Sequence, residues 1–192
     1  CIMPREGVFA RVLHGGWVTV GDKMEITTEK IPLDAAVITA SDKGSRGERE
    51  DTSGAAIREM LTEAGYHVAG FNIVPDEKEQ LVREMELWAE RGVGLILTTG
   101  GTGFSVRDVT PEATREVIER ETPGIPEAMR AFSMQVTPRA MLTRAAAGIR
   151  KRSLIVNLPG SEKAVRECLS FILPQLQHGV EILRGDTGEC AR

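Results

Sequence analysis

From about residue 33 onward, short apolar segments alternate with stretches whose apolar residues recur at helical spacing. Four segments, 35–40, 68–74, 93–98 and 154–158, have the length and apolar content of strands buried inside a sheet. Parallel strands need long crossover connections, which helices supply, and those helices then cover the sheet. The sequence therefore predicts an α/β fold with three layers, a mostly parallel sheet with helices on both faces.

The covering helices are predicted from the same spacing. Two of them end near Gly65 and Gly92, and another begins at Thr110, with Thr110 as the N-cap and Pro111 at the first helical position. A further helix is expected to begin near Pro126, and Pro174 is expected to kink or divide the last one. The predicted core faces consist of Ile57, Met60, Leu61, Ala64, Leu81, Met85, Trp88, Ala89, Val165, Cys168, Leu169 and Ile172.

Composition excludes several classes of protein. The 192 residues are 41% hydrophobic with a net charge of −4, which suits one globular domain and gives no dense basic surface for nucleic acid. Three cysteines without a CxxC pair argue against a disulfide framework or a zinc site. The basic cluster 150–152 is interpreted as a solvated turn before a strand. No apolar stretch suits a bilayer and no signal peptide is visible, so we expect a cytoplasmic protein with no membrane or nucleic-acid partner.

Three polar or glycine-rich loops, 41–52, 99–109 and 159–161, follow predicted strands. Ligands of parallel α/β sheets bind beyond the carboxyl ends of the strands, so we expect these loops to converge at one edge. In the segment 99–103, three of the five residues are glycines, and their bare N–H groups can approach an anion. This segment matches neither GxxxxGK[ST] nor GxGxxG, and a tight turn without a ligand remains an alternative interpretation.

Two aspartates and one serine lie at predicted helix starts. Asp51 and Asp108 each suit a structural role, as a cap or against a helix dipole. Together at one sheet edge, they also suit Mg²⁺ held against a nucleotide, because Mg²⁺ binds one or two carboxylates plus substrate phosphates. Ser161 follows Pro159-Gly160 and is either an ordinary N-cap or part of an anion site.

Taken in order, the segments 98–103, 107–113 and 157–161 resemble the MogA/MoaB family, together with Ser41-Asp42 and Asp51. The resemblance covers about residues 33–186. It implies a molybdopterin-binding domain over 33–192 that transfers AMP from Mg-ATP to molybdopterin and releases pyrophosphate. It also implies a homo-oligomer, either a trimer or a hexamer. A non-catalytic molybdopterin carrier or an oligomerising scaffold of the same fold is the alternative.

The resemblance also implies roles for individual residues. Asp51 and Asp108 would be the essential acidic pair and the ligands of Mg²⁺. The glycine-rich loop would cradle phosphate groups, and the loop at 159–161 would hold the pterin phosphate. The implied substrate-binding residues are Ser41, Asp42, Thr99, Gly100, Gly101, Thr102, Gly103, Pro159, Gly160 and Ser161.

Residues 1–29 follow a different pattern. Apolar segments at 7–13 and 17–20, separated by a turn at 14–16, predict a β-hairpin, which needs something to pack on. The segment resembles the C-terminal end of a MOSC domain, so we assign it as a MOSC-like remnant without activity of its own. Because the sequence begins at Cys1 rather than Met, we expect the intact chain to be longer, with a MOSC-like domain upstream.

Overall fold

The computed structural model describes residues 16–17, 19–23 and 32–185. The chain divides into two units, residues 1–31 and 32–192. In the first unit, the Asp22 N–H donates to the Thr19 carbonyl at 3.1 Å and closes a turn. None of the described residues of the predicted strand 17–20 lies in a strand, and Val20 is part of the turn. Most of the predicted hairpin lies outside the described residues.

The second unit contains a sheet with the strand order β2-β1-β3-β6-β5-β4. The first four strands in that order are parallel, which confirms the predicted mostly parallel sheet. The short strands β5 and β4 are antiparallel additions that the sequence pattern does not predict. The strands are β1 Asp34–Ala40, β2 His67–Val74, β3 Leu95–Thr99, β4 Arg120–Glu121, β5 Ala147–Arg150 and β6 Ser153–Leu158.

Helices cover both faces of this sheet. They are α1 Asp42–Ser45, α2 Thr52–Glu63, α3 Lys78–Glu90, α4 Thr110–Val117, α5 Gly124–Met134 and α6 Glu162–Arg184, with a 3₁₀ helix at Pro138–Leu142. Within the part of the chain that is described, no helix is both long and apolar enough to cross a membrane.

The alternation of side chains along β1 produces two separate cores. Ala35 and Val37 point to one face, where they pack in a cluster with residues of α2, α5 and α6. Ala36 and Ile38 point to the other face, where α3 and α4 supply the apolar side chains. A strand buried on both faces must be apolar throughout, which explains the continuous apolar runs in the sequence.

Three details of the predicted helices are wrong. Thr110 is the first residue of α4 rather than its N-cap; the N-cap is Val109, which makes no side-chain capping bond. Helix α6 continues through Pro174, so the predicted division of this helix is wrong, whereas the predicted kink stays a prediction; apolar residues before and after Pro174 are buried in the same core. Ala64 is exposed at the end of α2.

Lys151 and Arg152 form the turn between β5 and β6, as predicted, with Lys151 at φ 52°, whereas Arg150 is the last residue of β5. Only part of the basic cluster is solvated, since Arg150 is half-buried, donates to the Val117 carbonyl at 3.0 Å and forms an ion pair with Glu86 at 3.2 Å. Cys168 lies in the core as expected, and burial raises the pKa of its thiol.

Candidate active site

The three loops converge, as predicted, at the carboxyl ends of the parallel strands. They surround a polar cavity of about 240 Å³. The Thr99 hydroxyl donates to the Pro159 carbonyl at 2.7 Å and ties the glycine-rich loop to the loop after β6. The residues that line this polar cavity include Ser41, Asp51, Asp76, Gly100, Gly101, Asp108 and Gly160.

Two glycines let the backbone of the loop after β3 come close to its neighbours. Gly100 has φ 90°, and a Cβ there would lie 2.3 Å from the carbonyl oxygen of Ala40. Gly101 has φ 63°, and a Cβ there would lie 2.4 Å from the hydroxyl of Thr110. Only glycine fits both positions, so the loop presents bare backbone to the cavity.

A second, mainly apolar cavity of about 310 Å³ lies among α5, the 3₁₀ helix and α6. Thr102, Gly103 and Pro159 line it, so the same two loops contribute to both cavities. Two arginines also line it, Arg130 and Arg139. The two cavities therefore differ in polarity and are both lined by the loops after β3 and β6.

The carboxylate of Asp51 is engaged in holding the start of α2. Its Oδ2 accepts from the Thr39 hydroxyl at 2.6 Å, and its Oδ1 accepts from the Ser53 hydroxyl at 3.0 Å and the Gly54 N–H at 2.9 Å. Both oxygens are therefore occupied by donors of the protein. Although Asp51 lines the cavity, its geometry is that of an N-cap.

Asp76 is a residue that the sequence reasoning missed. It follows β2 and lines the polar cavity; its Oδ2 accepts from the Asp42 N–H at 2.9 Å, whereas its Oδ1 has no hydrogen-bond partner among the described residues. Burial raises the pKa of its carboxyl group, and the nearby carboxylates of Asp42 and Asp108 act in the same direction, whereas the hydrogen bond from the Asp42 N–H and the charge of Arg107 lower it. Three carboxyl groups, those of Asp42, Asp76 and Asp108, are therefore near enough to influence one another.

Asp108 lies opposite, at the end of the loop 103–108. Its Oδ2 accepts from the Ser105 N–H at 2.8 Å and would be 2.9 Å from a Cβ at Gly103. The carboxylate is partly exposed to the polar cavity. The prediction that Asp108 lies at the edge of the sheet beside the glycine-rich loop is confirmed by this position.

Three further predicted site residues have local structural partners. Asp42 forms a bidentate ion pair with Arg107, at 2.7 and 3.1 Å, and this pairing lowers the pKa of the Asp42 carboxyl group. Ser41 caps α1 through the Gly44 N–H at 3.0 Å and still lines the polar cavity. Ser161 caps α6 through the Ala164 N–H at 3.3 Å.

The carboxylates of Asp76 and Asp108 are suitable ligands for Mg²⁺. Within the described residues there is no group of three or more His, Cys, Asp or Glu side chains able to hold a metal ion by themselves. Asp76 and Asp108 line the same cavity, and Oδ1 of Asp76 has no hydrogen-bond partner among the described residues. A pair of this kind suits Mg²⁺, which keeps waters and substrate phosphates as its other ligands.

A known family matches this chain over residues 36–178, and its description is "Probable molybdopterin binding domain". The chain belongs to this family. The matched range includes the three converging loops and both cavities.

Individual proteins of known name or structure are also similar to this chain. Molybdopterin adenylyltransferase of Helicobacter pylori is 42% identical over 153 residues, which is 78% of this chain and 87% of that protein. The enzyme of the same name from Escherichia coli is 41% identical over 143 residues, 73% of each chain. The crystal structure of the molybdopterin biosynthesis enzyme MoaB from Thermus thermophilus is 49% identical with a TM-score of 0.75, covering 80% of this chain and 97% of that one.

Proposed function

We propose that this protein is a molybdopterin adenylyltransferase of molybdenum-cofactor biosynthesis. An oxygen of the terminal phosphate of molybdopterin attacks the α-phosphorus of ATP and forms a new P–O bond. The bond between the α-phosphorus and the bridging oxygen breaks, and pyrophosphate leaves. The products are adenylylated molybdopterin and pyrophosphate.

The observation that carries this proposal is the polar cavity itself, in which bare loop backbone faces a pair of carboxylates. Gly100 and Gly101 offer close approach to phosphate oxygens.

In this proposal the acidic pair is Asp76 and Asp108 rather than Asp51 and Asp108. Asp51 already accepts three hydrogen bonds from the protein, whereas Asp76 keeps one carboxylate oxygen for a ligand. Asp76 and Asp108 would hold Mg²⁺, which when bound offsets the negative charge of the reacting phosphates. The chain's own part is to position those phosphates and the two carboxylates.

The proposal is tested by product analysis with matched aspartate variants. Wild-type protein incubated with Mg-ATP and molybdopterin should yield molybdopterin that carries AMP, detected by mass spectrometry. Asp76→Asn and Asp108→Asn should each slow this transfer by about 100-fold or more, because each would remove a carboxylate ligand of the Mg²⁺ that offsets the negative charge of the reacting phosphates. Asp34→Asn is the matched control, since Asp34 pairs with His67 at the start of β1, away from the cavity.

Near-normal transfer in both cavity variants would refute the acidic pair. Tight binding of molybdopterin without any adenylylated product would instead favour the non-catalytic carrier or scaffold.

Assembly is proposed on the resemblance to the MogA/MoaB family. We propose a homotrimer, alone or paired as a hexamer. Exposed apolar side chains on α5, the 3₁₀ helix and α6, such as Met141 and Phe171, are consistent with self-association. Sedimentation equilibrium of the purified protein tests this, and a monomer at micromolar concentration would contradict it.

We also propose that residues 1–29 are the end of a MOSC-like domain and that residues 33–192 form the transferase domain. The support is the glycine-rich pattern of residues 7–22 and the boundary between the two units after residue 31. An encoded sequence upstream of Cys1 without MOSC similarity would contradict this organisation. A cytoplasmic location is proposed because the reaction consumes ATP, and fractionation of cells tests it.

A further inference from the structure

Arg144, in the segment between the 3₁₀ helix and β5, contacts the loop that carries Asp108 at both of its ends. The Nε of Arg144 donates to the Gly103 carbonyl at 2.7 Å. Its Nη2 donates to the main-chain carbonyl of Asp108, and its Nη1 donates to Glu112 at the start of α4. The backbone N–H of Arg144 adds a bond to the Thr102 carbonyl at 3.0 Å.

The loop has little else to fix it against the rest of the protein. Its middle is exposed, with Phe104 at 70% and Val106 at 95% relative accessibility. The bonds between Ser105 and Asp108 are internal to the loop and shape it without anchoring it. One further contact, the bidentate and partly exposed ion pair between Arg107 and Asp42, ties the middle of the loop to α1, whereas Arg144 holds the two ends.

We infer that Arg144 is a positioning residue. It fixes the Asp108 carboxylate at the polar cavity by donating hydrogen bonds to the main chain at both ends of the loop 103–108. This inference rests on the proposed function, in which Asp108 acts on the reacting phosphates. Arginine suits the task because its planar guanidinium donates in several fixed directions at once. A lysine ammonium cannot span two carbonyls and a carboxylate with the same geometry.

The first arm of the test does not depend on activity. Amide hydrogen exchange of the peptide covering residues 103–109 is measured without substrates in wild type, Arg144→Met, Arg144→Lys and Arg150→Met. Arg150 is the matched control, because it too is half-buried, donates to a main-chain carbonyl and pairs with glutamates, but lies at the turn between β5 and β6. We expect faster exchange in both Arg144 variants, strongest in Arg144→Met, and wild-type exchange of this peptide in the control.

The second arm separates kcat from KM in the adenylyl transfer. A displacement of Asp108 by about 1 Å is expected to lower kcat by on the order of 100-fold in Arg144→Met, with the KM for molybdopterin unchanged. Arg144→Lys should recover part of the lost kcat because it keeps one donor and the charge. Arg150→Met should retain the wild-type kcat.

Wild-type exchange of the loop in both Arg144 variants would overturn the inference, as would a kcat equal to that of the control. If Arg144→Met does not fold, the milder Arg144→Lys decides both arms. If the wild-type protein transfers no AMP at all, the proposed function fails, and the exchange arm alone still decides whether Arg144 fixes the loop.

Discussion

Gly100→Ala tests how closely the loop after β3 approaches the end of β1 at the polar cavity. The new Cβ would lie 2.3 Å from the Ala40 carbonyl oxygen, whereas ordinary contacts of a Cβ begin at 3.4 Å. The ends of β1 and β3 must therefore separate by about 1 Å, since a close-packed interior offers no other space. In addition, φ 90° at this position costs an alanine about 1–2 kcal/mol.

The consequence should appear in turnover as well as in stability. A shift of about 1 Å in the phosphate-binding loop is expected to lower kcat by on the order of 100-fold, measured as pyrophosphate release at saturating substrates. Gly92→Ala is the matched control, because Gly92 has φ 78° at the end of α3 with nothing within 4 Å of its Cβ position. It should lose about 1–2 kcal/mol of stability and keep its kcat. A folded Gly100→Ala protein with the kcat of the control would refute this reasoning.

Three further substitutions test other parts of the account. Asp51→Ala removes the N-cap of α2 and should cost about 1–2 kcal/mol in chemical denaturation, while the Mg²⁺ concentration for half-maximal activity stays at the wild-type value. Ser161→Ala removes the cap of α6 and should cost about 1 kcal/mol in the same assay. The raised pKa of Asp76 lets the folded state bind its proton more readily, so its contribution to stability is present at acid pH and lost as pH rises. Asp76→Asn should therefore raise the Tm at pH 7, and this gain should disappear on acidification; an unchanged Tm at every pH would contradict the assignment.

β1, β3 and β6 follow from the sequence because strands buried on both faces must be continuously apolar. β2 lies at the edge of the sheet and is mostly partly exposed. β5 and β4 cannot be predicted in this way, since strands of four and two residues carry no periodicity. Local patterns predict that Pro174 breaks α6. The buried apolar residues on both sides of it, such as Ile172 and Leu176, outweigh one lost backbone hydrogen bond.

Part of the candidate site is predictable for the same topological reason, because loops at the carboxyl ends of parallel strands converge. The choice between Asp51 and Asp76 is not predictable from local patterns. A carboxylate before a helix looks the same in sequence whether its oxygens face a ligand or, as in Asp51, three protein donors. Asp76 lacks a neighbouring glycine motif, and only its position after β2, beside the polar cavity, gives it significance.

Pyrophosphate release shows whether this chain joins AMP to molybdopterin. Purified protein is given Mg-ATP and molybdopterin together, and each substrate alone. We expect release that requires both substrates and falls sharply in Asp76→Asn and Asp108→Asn. No release from wild-type protein that binds molybdopterin tightly would contradict adenylyl transfer and leave the polar cavity as a binding site alone.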